Sequence, residues 1–148
     1  MTQRLHMVFP GNQMAVRKAL KDSMQGLSHL ELTQDEKSTV EMVLAEVLNN
    51  VVEHAYQDRD IGVIELDVLR VGDELQVQVL DDGLPMPNGE LPCGQMHDLD
   101  ACGVQDLPEG GFGWFLIREM THELCYQRDG TRNRLSFRVA LGDNCRPN

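Results

Sequence analysis

The sequence predicts an α+β fold: a two-layer α/β sandwich in which helices cover one face of a mixed, mostly antiparallel sheet. Three observations carry this. Residues 12–30 and 33–56 keep apolar side chains at the intervals of three and four that one buried helix face requires. Residues 63–81 and 124–141 alternate apolar and polar positions across Gly-Asp and Asp-Gly turns, as hairpins with one wet face do. The helices are not regularly interleaved with strands, which disfavours a doubly wound parallel sheet.

Residues 4–9 form a candidate first strand, stopped by the turn pair Pro10-Gly11. Met14, Val16, Ala19, Leu20, Met24 and Leu27 then mark a first helix. In the next, "LTQDEKSTVEMVLAEVLNNVVEHAY", Thr33 and Glu36 have the spacing of a capping box, and Val40, Val43, Leu44, Val47, Val51 and Ala55 form the apolar stripe to about Tyr56. A hairpin turning at Gly72-Asp73 follows. After Gly83 the periodicity fails through a long stretch rich in proline and glycine, the length of a functional loop. "WFLIREMTHEL" reads as a short helix entered from glycines, and a closing hairpin turns near Asp129-Gly130.

At 148 residues the chain has the size of one domain, taken here as residues 1–148. Its formal charge of −11 and pI near 4.7 argue against a nucleic-acid binder, which needs a basic face. Cys93, Cys102, Cys125 and Cys145 are irregularly spaced, so free thiols are expected rather than a zinc site or redox pair. No charged-then-apolar leader opens the chain, and no apolar run approaches the roughly 20 residues of a bilayer span. A cytoplasmic protein off the membrane is expected.

Three polar constellations stand out. Residues four apart on a helix are rotated by about 40° and lifted by about 6 Å, so Glu46 and Asn50 share a face, with Glu53 near it and Asn49 and His54 flanking. Two asparagines are poor helix formers in an otherwise strong helix. The second constellation, "LDDGLP", ends a strand, and the third, "EGGFGWFLI", brings glycines to a helix N-terminus, whose free amides suit a phosphate. Each alone is commonplace: a solvated face, a turn, a flexible entry.

In this order they resemble the ATP-binding fold of histidine kinases and gyrase-type ATPases, the Bergerat-type fold. The nearer resemblance is to the anti-sigma factor serine kinases of the RsbW and SpoIIAB type, through "EVLNNVVEHAY", "VLDDGLPMP" and "GGFGWFLIREMTHELCY". The resemblance implies ATP and Mg²⁺ as cofactors. It makes Glu46 the general base, Asn50 the Mg²⁺ ligand, Asp81 the acceptor for the adenine amino group and Gly83 the point of close approach to the base. Gly111 and Gly113 would present amides to the phosphates at the end of a flexible lid, residues 84–110. Asn49, His54 and Arg118 are accessory candidates.

The resemblance further implies a serine/threonine kinase that phosphorylates a STAS-type antagonist, sequesters a second partner such as a sigma factor, and forms a homodimer. Some positions depart from the pattern. Val51 stands where a small residue is usual, Phe112 and Trp114 thicken the glycine turn, and residues 87–109 carry five acids and no Lys or Arg. A cation-free lid keeps open a second reading, a nucleotide-binding anti-sigma or adaptor module without kinase activity. The ATP-binding half of a histidine kinase is a third, disfavoured by the absence of a phosphoacceptor hairpin. His97 and His122 read as surface residues, and Met14 and Met24 as core or interface filler.

Overall fold

The computed structural model describes residues 3–91 and 111–142. Strand β1 (Gln3–Pro10) leads to helix α1 (Gln13–Gly26), capped by the Asn12 side chain on the Ala15 amide at 2.8 Å. The expected first helix thus divides at Gly26, and residues Leu27–Leu30 tighten into a 3-10 turn. Helix α2 (Gln34–Asn50) opens with the capping box expected of Thr33 and Glu36, both bonds being present. Its last turn differs from expectation. Val51–Ala55 is a π-helical turn, closed by the Tyr56 amide on the Val51 carbonyl at 3.0 Å.

Strands β2 (Val63–Val71) and β3 (Glu74–Asp81) form the hairpin read from the sequence. Helix α3 spans Gly111–Met120, and the closing hairpin is β4 (His122–Asp129) with β5 (Arg132–Ala140). The expected helix over residues 114–124 therefore starts earlier and stops sooner. The Thr121 hydroxyl bonds back to the Ile117 carbonyl at 2.7 Å, and residues from His122 onward are taken into the sheet, with a register shift between His122 and Cys125.

The sheet order is β1-β2-β3-β5-β4, and every neighbouring pair is antiparallel, so the expectation of a mixed sheet is corrected. The cause is topological. Two helices between β1 and β2 return the chain reversed, whereas the single helix α3 returns β4 parallel to β3, and β5 lies between them. Ile64, Leu66, Val68, Leu75, Val77, Val79, Leu135, Phe137 and Val139 point to the helices and meet Val40, Val43, Leu44, Val47 and Leu48 of α2. That interface is the core, with β-branched and leucine side chains on the alternate positions a covered sheet face demands.

The other sheet face is open and charged. Arg4 pairs with Asp67 at 2.7 Å, Arg138 with Glu74 at 3.1 Å, and Arg132 with Glu65. Of the histidines and methionines singled out, His122 is exposed and pairs with Glu74 at 2.8 Å. Met14 is exposed and Met24 packs on the core. Cys125 is a free thiol; Cys93, Cys102, Cys145 and His97 lie outside the described residues, as does most of the expected lid. No helix among the described residues is long and apolar enough to cross a membrane.

Candidate functional site

The ends of three elements meet at one corner of the sandwich: the C-terminal end of α2, the C-terminal end of β3 and the N-terminal end of α3. Between them lies a cavity of about 390 Å³, lined by Val47, Asn50, His54 and Ala55 on the helix side and by Val79, Asp81, Asn133 and Leu135 on the sheet side. Leu84, Pro85, Met86 and Pro87 border it, and Trp114 and Tyr126 complete the wall. Its size is that of a small-molecule site, and its lining, apolar with a few convergent polar groups, is what such sites have. A larger trough, about 760 Å³, crosses the open sheet face. It is the shallow curve of a twisted sheet whose charges are already paired, and it lies away from the polar constellations.

Asn50 ends α2 with its side chain turned inward, only 8% exposed, and its Nδ2 has no hydrogen-bond partner among the described residues. A buried amide without a partner costs roughly 1–3 kcal/mol, and such a group at a cavity wall is one that a ligand would satisfy. Glu46 stands one turn earlier, half-buried. It packs against Gly113: a Cβ added there would collide with Glu46 Oε2. Gly113 is thus what lets the start of α3 come down onto the carboxylate.

Asp81 is 6% exposed at the end of β3. Its Oδ1 accepts the Gly83 amide and Asn133 Nδ2, each at 2.8 Å. Burial pushes the carboxyl above its ordinary value; those two bonds and Arg128 pull it down, Asp82 pushes it up, and the net shift is upward. Gly83 sits against the π turn, where a Cβ would stand 2.5 Å from the Ala55 carbonyl oxygen. The next amide, Leu84, donates to that same oxygen at 2.9 Å. The π turn therefore has a local purpose: it presents the Ala55 carbonyl to the chain leaving β3, and π turns recur at functional sites.

Below this corner Tyr56 donates to the Val63 carbonyl at 2.6 Å and accepts the Asp82 amide at 2.9 Å, joining the start of β2 to the end of β3. Burial raises its phenol above the ordinary value.

The structure brings together Asn50, His54, Asp81 and Trp114 on one cavity, with Glu46 and Gly113 beside it. Gly83 lies at the strand end, and Gly111 is the first residue of α3. His54 is exposed at the rim, 4.0 Å from Glu53. Asn49 is half-buried on the flank of α2 and Arg118 half-buried on α3; neither lines the cavity. Sequence reasoning missed the part played by Asn133, Tyr126 and Arg128 of the closing hairpin. The available signal was an Asn at an inward position of an alternating strand, "RNRLSF". Trp114, read as bulk in a glycine turn, is in fact 4% exposed and part of the wall.

Residues 9–139 match the model of the histidine kinase-like ATPase domain family. The chain is 27% identical over 120 residues to the serine/threonine-protein kinase BtrW of Bordetella bronchiseptica, covering 78% of this chain and 82% of that protein. It is 26% identical over 109 residues to the serine-protein kinase RsbW of Bacillus mycoides, covering 72% and 67%. Among solved structures, the SiaB–SiaC complex of Pseudomonas aeruginosa holds a similar fold, with a TM-score of 0.60 at 16% identity over 93% of this chain and 89% of that one. With the antiparallel sheet, the helix layer and the corner cavity, the match over nearly all of the described residues means that the chain belongs to the histidine kinase-like ATPase domain family, alongside serine kinases of the RsbW and BtrW kind.

Proposed function

We propose that the protein is an ATP-dependent serine/threonine kinase that phosphorylates a small STAS-type antagonist in a partner-switching system of the cytoplasm, with a sigma factor as the alternate partner and a homodimer as the working form. The observation that carries this reading is the Glu46–Asn50 pair on the helix wall, with Gly113 seated on Glu46 and Asp81 across the cavity. A carboxylate and an amide oxygen are hard donors that suit Mg²⁺, while the buried Asn50 Nδ2, a donor with no partner among the described residues, suits a phosphate oxygen of the same ligand. Asn50 would hold the ion against the nucleotide phosphates, where the ion supplies positive charge.

Asp81 would take the adenine amino group on its Oδ2, for which no hydrogen bond occurs among the described residues. The amides at Gly111 and Gly113 would meet the phosphates. Glu46 would accept the proton of the incoming hydroxyl as its oxygen bonds the γ-phosphorus and the bond to the β-phosphate oxygen breaks, releasing ADP. Positioning and charge carry most of such a transfer.

One observation favours a second reading, binding and sequestration without transfer. Among the described residues the cavity wall carries no Lys or Arg. The experiment is incubation with labelled ATP, Mg²⁺ and a STAS-type protein purified with this chain. Label on the antagonist that disappears with Glu46→Gln supports the kinase. Tight ATP binding with no transfer to any antagonist leaves the sequestering module, and transfer undiminished in Glu46→Gln removes that residue from the base role.

A further inference from the structure

The closing hairpin sends three side chains to the site, and their hydrogen bonds form one connected group. Asn133, 4% exposed, donates through Nδ2 to Asp81 Oδ1 and to the Leu84 carbonyl, each at 2.8 Å, with the Gly83 carbonyl at 3.4 Å. Its Oδ1 accepts the Tyr126 hydroxyl and Arg128 Nη1, the latter at 3.0 Å. Arg128 also donates to the Gly83 carbonyl at 2.7 Å, and the Tyr126 oxygen accepts the Met86 amide at 3.0 Å. Every donor and acceptor of the Asn133 amide is thus engaged, while Asp81 is held by one oxygen only.

An Asn with its whole inventory satisfied inside a protein is a fixed point. The bonds it makes run to the carboxylate proposed to read the base and to two residues of the chain that leaves it, Gly83 and Leu84. From the helix side Leu84 is also held, by its amide on the Ala55 carbonyl.

We infer that Asn133 is the positioning residue of this site: it fixes the Asp81 carboxylate by Oδ1 so that Oδ2 is left for the ligand, and it ties Gly83 and Leu84 to the closing hairpin as a rigid root. The inference rests on the ATP reading for what Oδ2 recognises, and not for the placement itself. Asn133 touches no ligand in this account; it acts through Asp81. An alanine at the same strand position would leave the Asp81 carboxylate held by the Gly83 amide alone.

The test is made first without nucleotide, by carbon-13 NMR titration of the Asp81 carboxyl and by amide exchange, in wild type, Asn133→Ala and the space-filling Asn133→Leu. Losing the Nδ2 donor moves the Asp81 midpoint upward. The other titratable groups facing Asp81 are unchanged between the variants: Asp82 beside it, Arg128 on β4, Tyr126 and His54 on the wall and Tyr56 beneath. Exchange at the Gly83 amide, which donates to the Asp81 oxygen that Asn133 steadies, becomes roughly five- to tenfold faster. Tyr126→Phe frees Met86 and leaves the Asp81 midpoint in place.

With ATP added, Asn133→Ala raises the Kd and the KM roughly tenfold and leaves kcat at saturation near wild type. An unmoved Asp81 midpoint with unchanged exchange in a folded Asn133 variant overturns the inference. A moved midpoint in a protein that binds no adenine nucleotide refutes the proposed function and leaves the role of Asn133 standing.

Discussion

Asp81→Asn changes one atom and reverses what the site asks of its ligand. In the wild type, Oδ1 accepts two donors, the Gly83 amide and Asn133 Nδ2. Both remain donors in the variant, so the new amide must turn its oxygen to them and place its NH₂ where Oδ2 stood. A donor would then face the adenine amino group, itself a donor. One charge-assisted hydrogen bond is lost, worth about 1.5–3 kcal/mol, so ATP affinity falls roughly ten- to hundredfold. A 6-oxo base presents an acceptor there, so affinity for ITP holds or rises, and the ATP/ITP preference inverts. Trp114, the only tryptophan and part of the cavity wall, reports binding by its fluorescence. Wild-type discrimination between ATP and ITP in the variant would refute the assignment of Asp81. Stability moves the other way. Burial holds the Asp81 carboxyl above its ordinary 3.8, so the ionised form subtracts stability at neutral pH, a penalty that fades as pH falls through the raised value. The ligand-free variant therefore melts above wild type at pH 7, and the gap closes on acidification.

Gly113→Ala meets only the far end of a flexible side chain, Glu46 Oε2, so the protein folds with little change in Tm while the carboxylate is pushed aside. Phosphotransfer falls about a hundredfold with ATP affinity nearly kept, the order of a displaced general base; full activity would mean that Glu46 need not sit where it does. Gly83→Ala meets backbone instead, the Ala55 carbonyl at 2.5 Å, and loses about 1–3 kcal/mol, seen as a Tm lower by roughly 3–10 °C. Thr33→Ala removes the hydroxyl that accepts the Glu36 amide and costs about 1 kcal/mol, a fall of some 2–4 °C. For Glu36, burial pushes the carboxyl up, but the amides of Thr33 and Gly142 and the Thr33 hydroxyl outweigh it, so it sits below its ordinary 4.5. Its contribution is therefore present above that value and lost as pH falls through the lowered one, so melting curves of Glu36→Gln and wild type differ at neutral pH and converge in acid.

How much of this was legible depended on how far apart the determining residues lie. The capping box at Thr33 and Glu36 is decided within one turn, and the alternation in β2 and β3 within one strand, so sequence reading reached both. The end of α2 was misread because nothing in "VVEHA" dictates a π turn. What favours it is distant: the Leu84 amide donates to the Ala55 carbonyl, and Gly83 leaves room for it. The end of α3 fails for the same reason, since pairing with β5 claims His122 against Arg138. Glu46, Asn50 and Asp81 were visible as chemistry without neighbours, and only the fold brought Gly113 onto Glu46 and Asn133 onto Asp81.

These irregularities share one corner, and each works against stability. The π turn gives up regular helical pairing, Asn50 Nδ2 lacks a partner among the described residues, and the Asp81 carboxyl is buried with its titration raised. Elsewhere in the described residues the Asn12 and Thr33 caps and the alternating hairpins follow local preference, while Glu31 and Glu123 take positive φ. A fold under no demand but stability would relieve the corner with ordinary substitutions, an apolar residue for Asn50 or a neutral one for Asp81. That three such costs meet at one cavity is the physical argument that the cavity is kept for a ligand. The same argument ranks the tests: a substitution that stabilises the ligand-free protein and weakens nucleotide binding marks a site residue, whereas one that lowers both marks the scaffold that holds it.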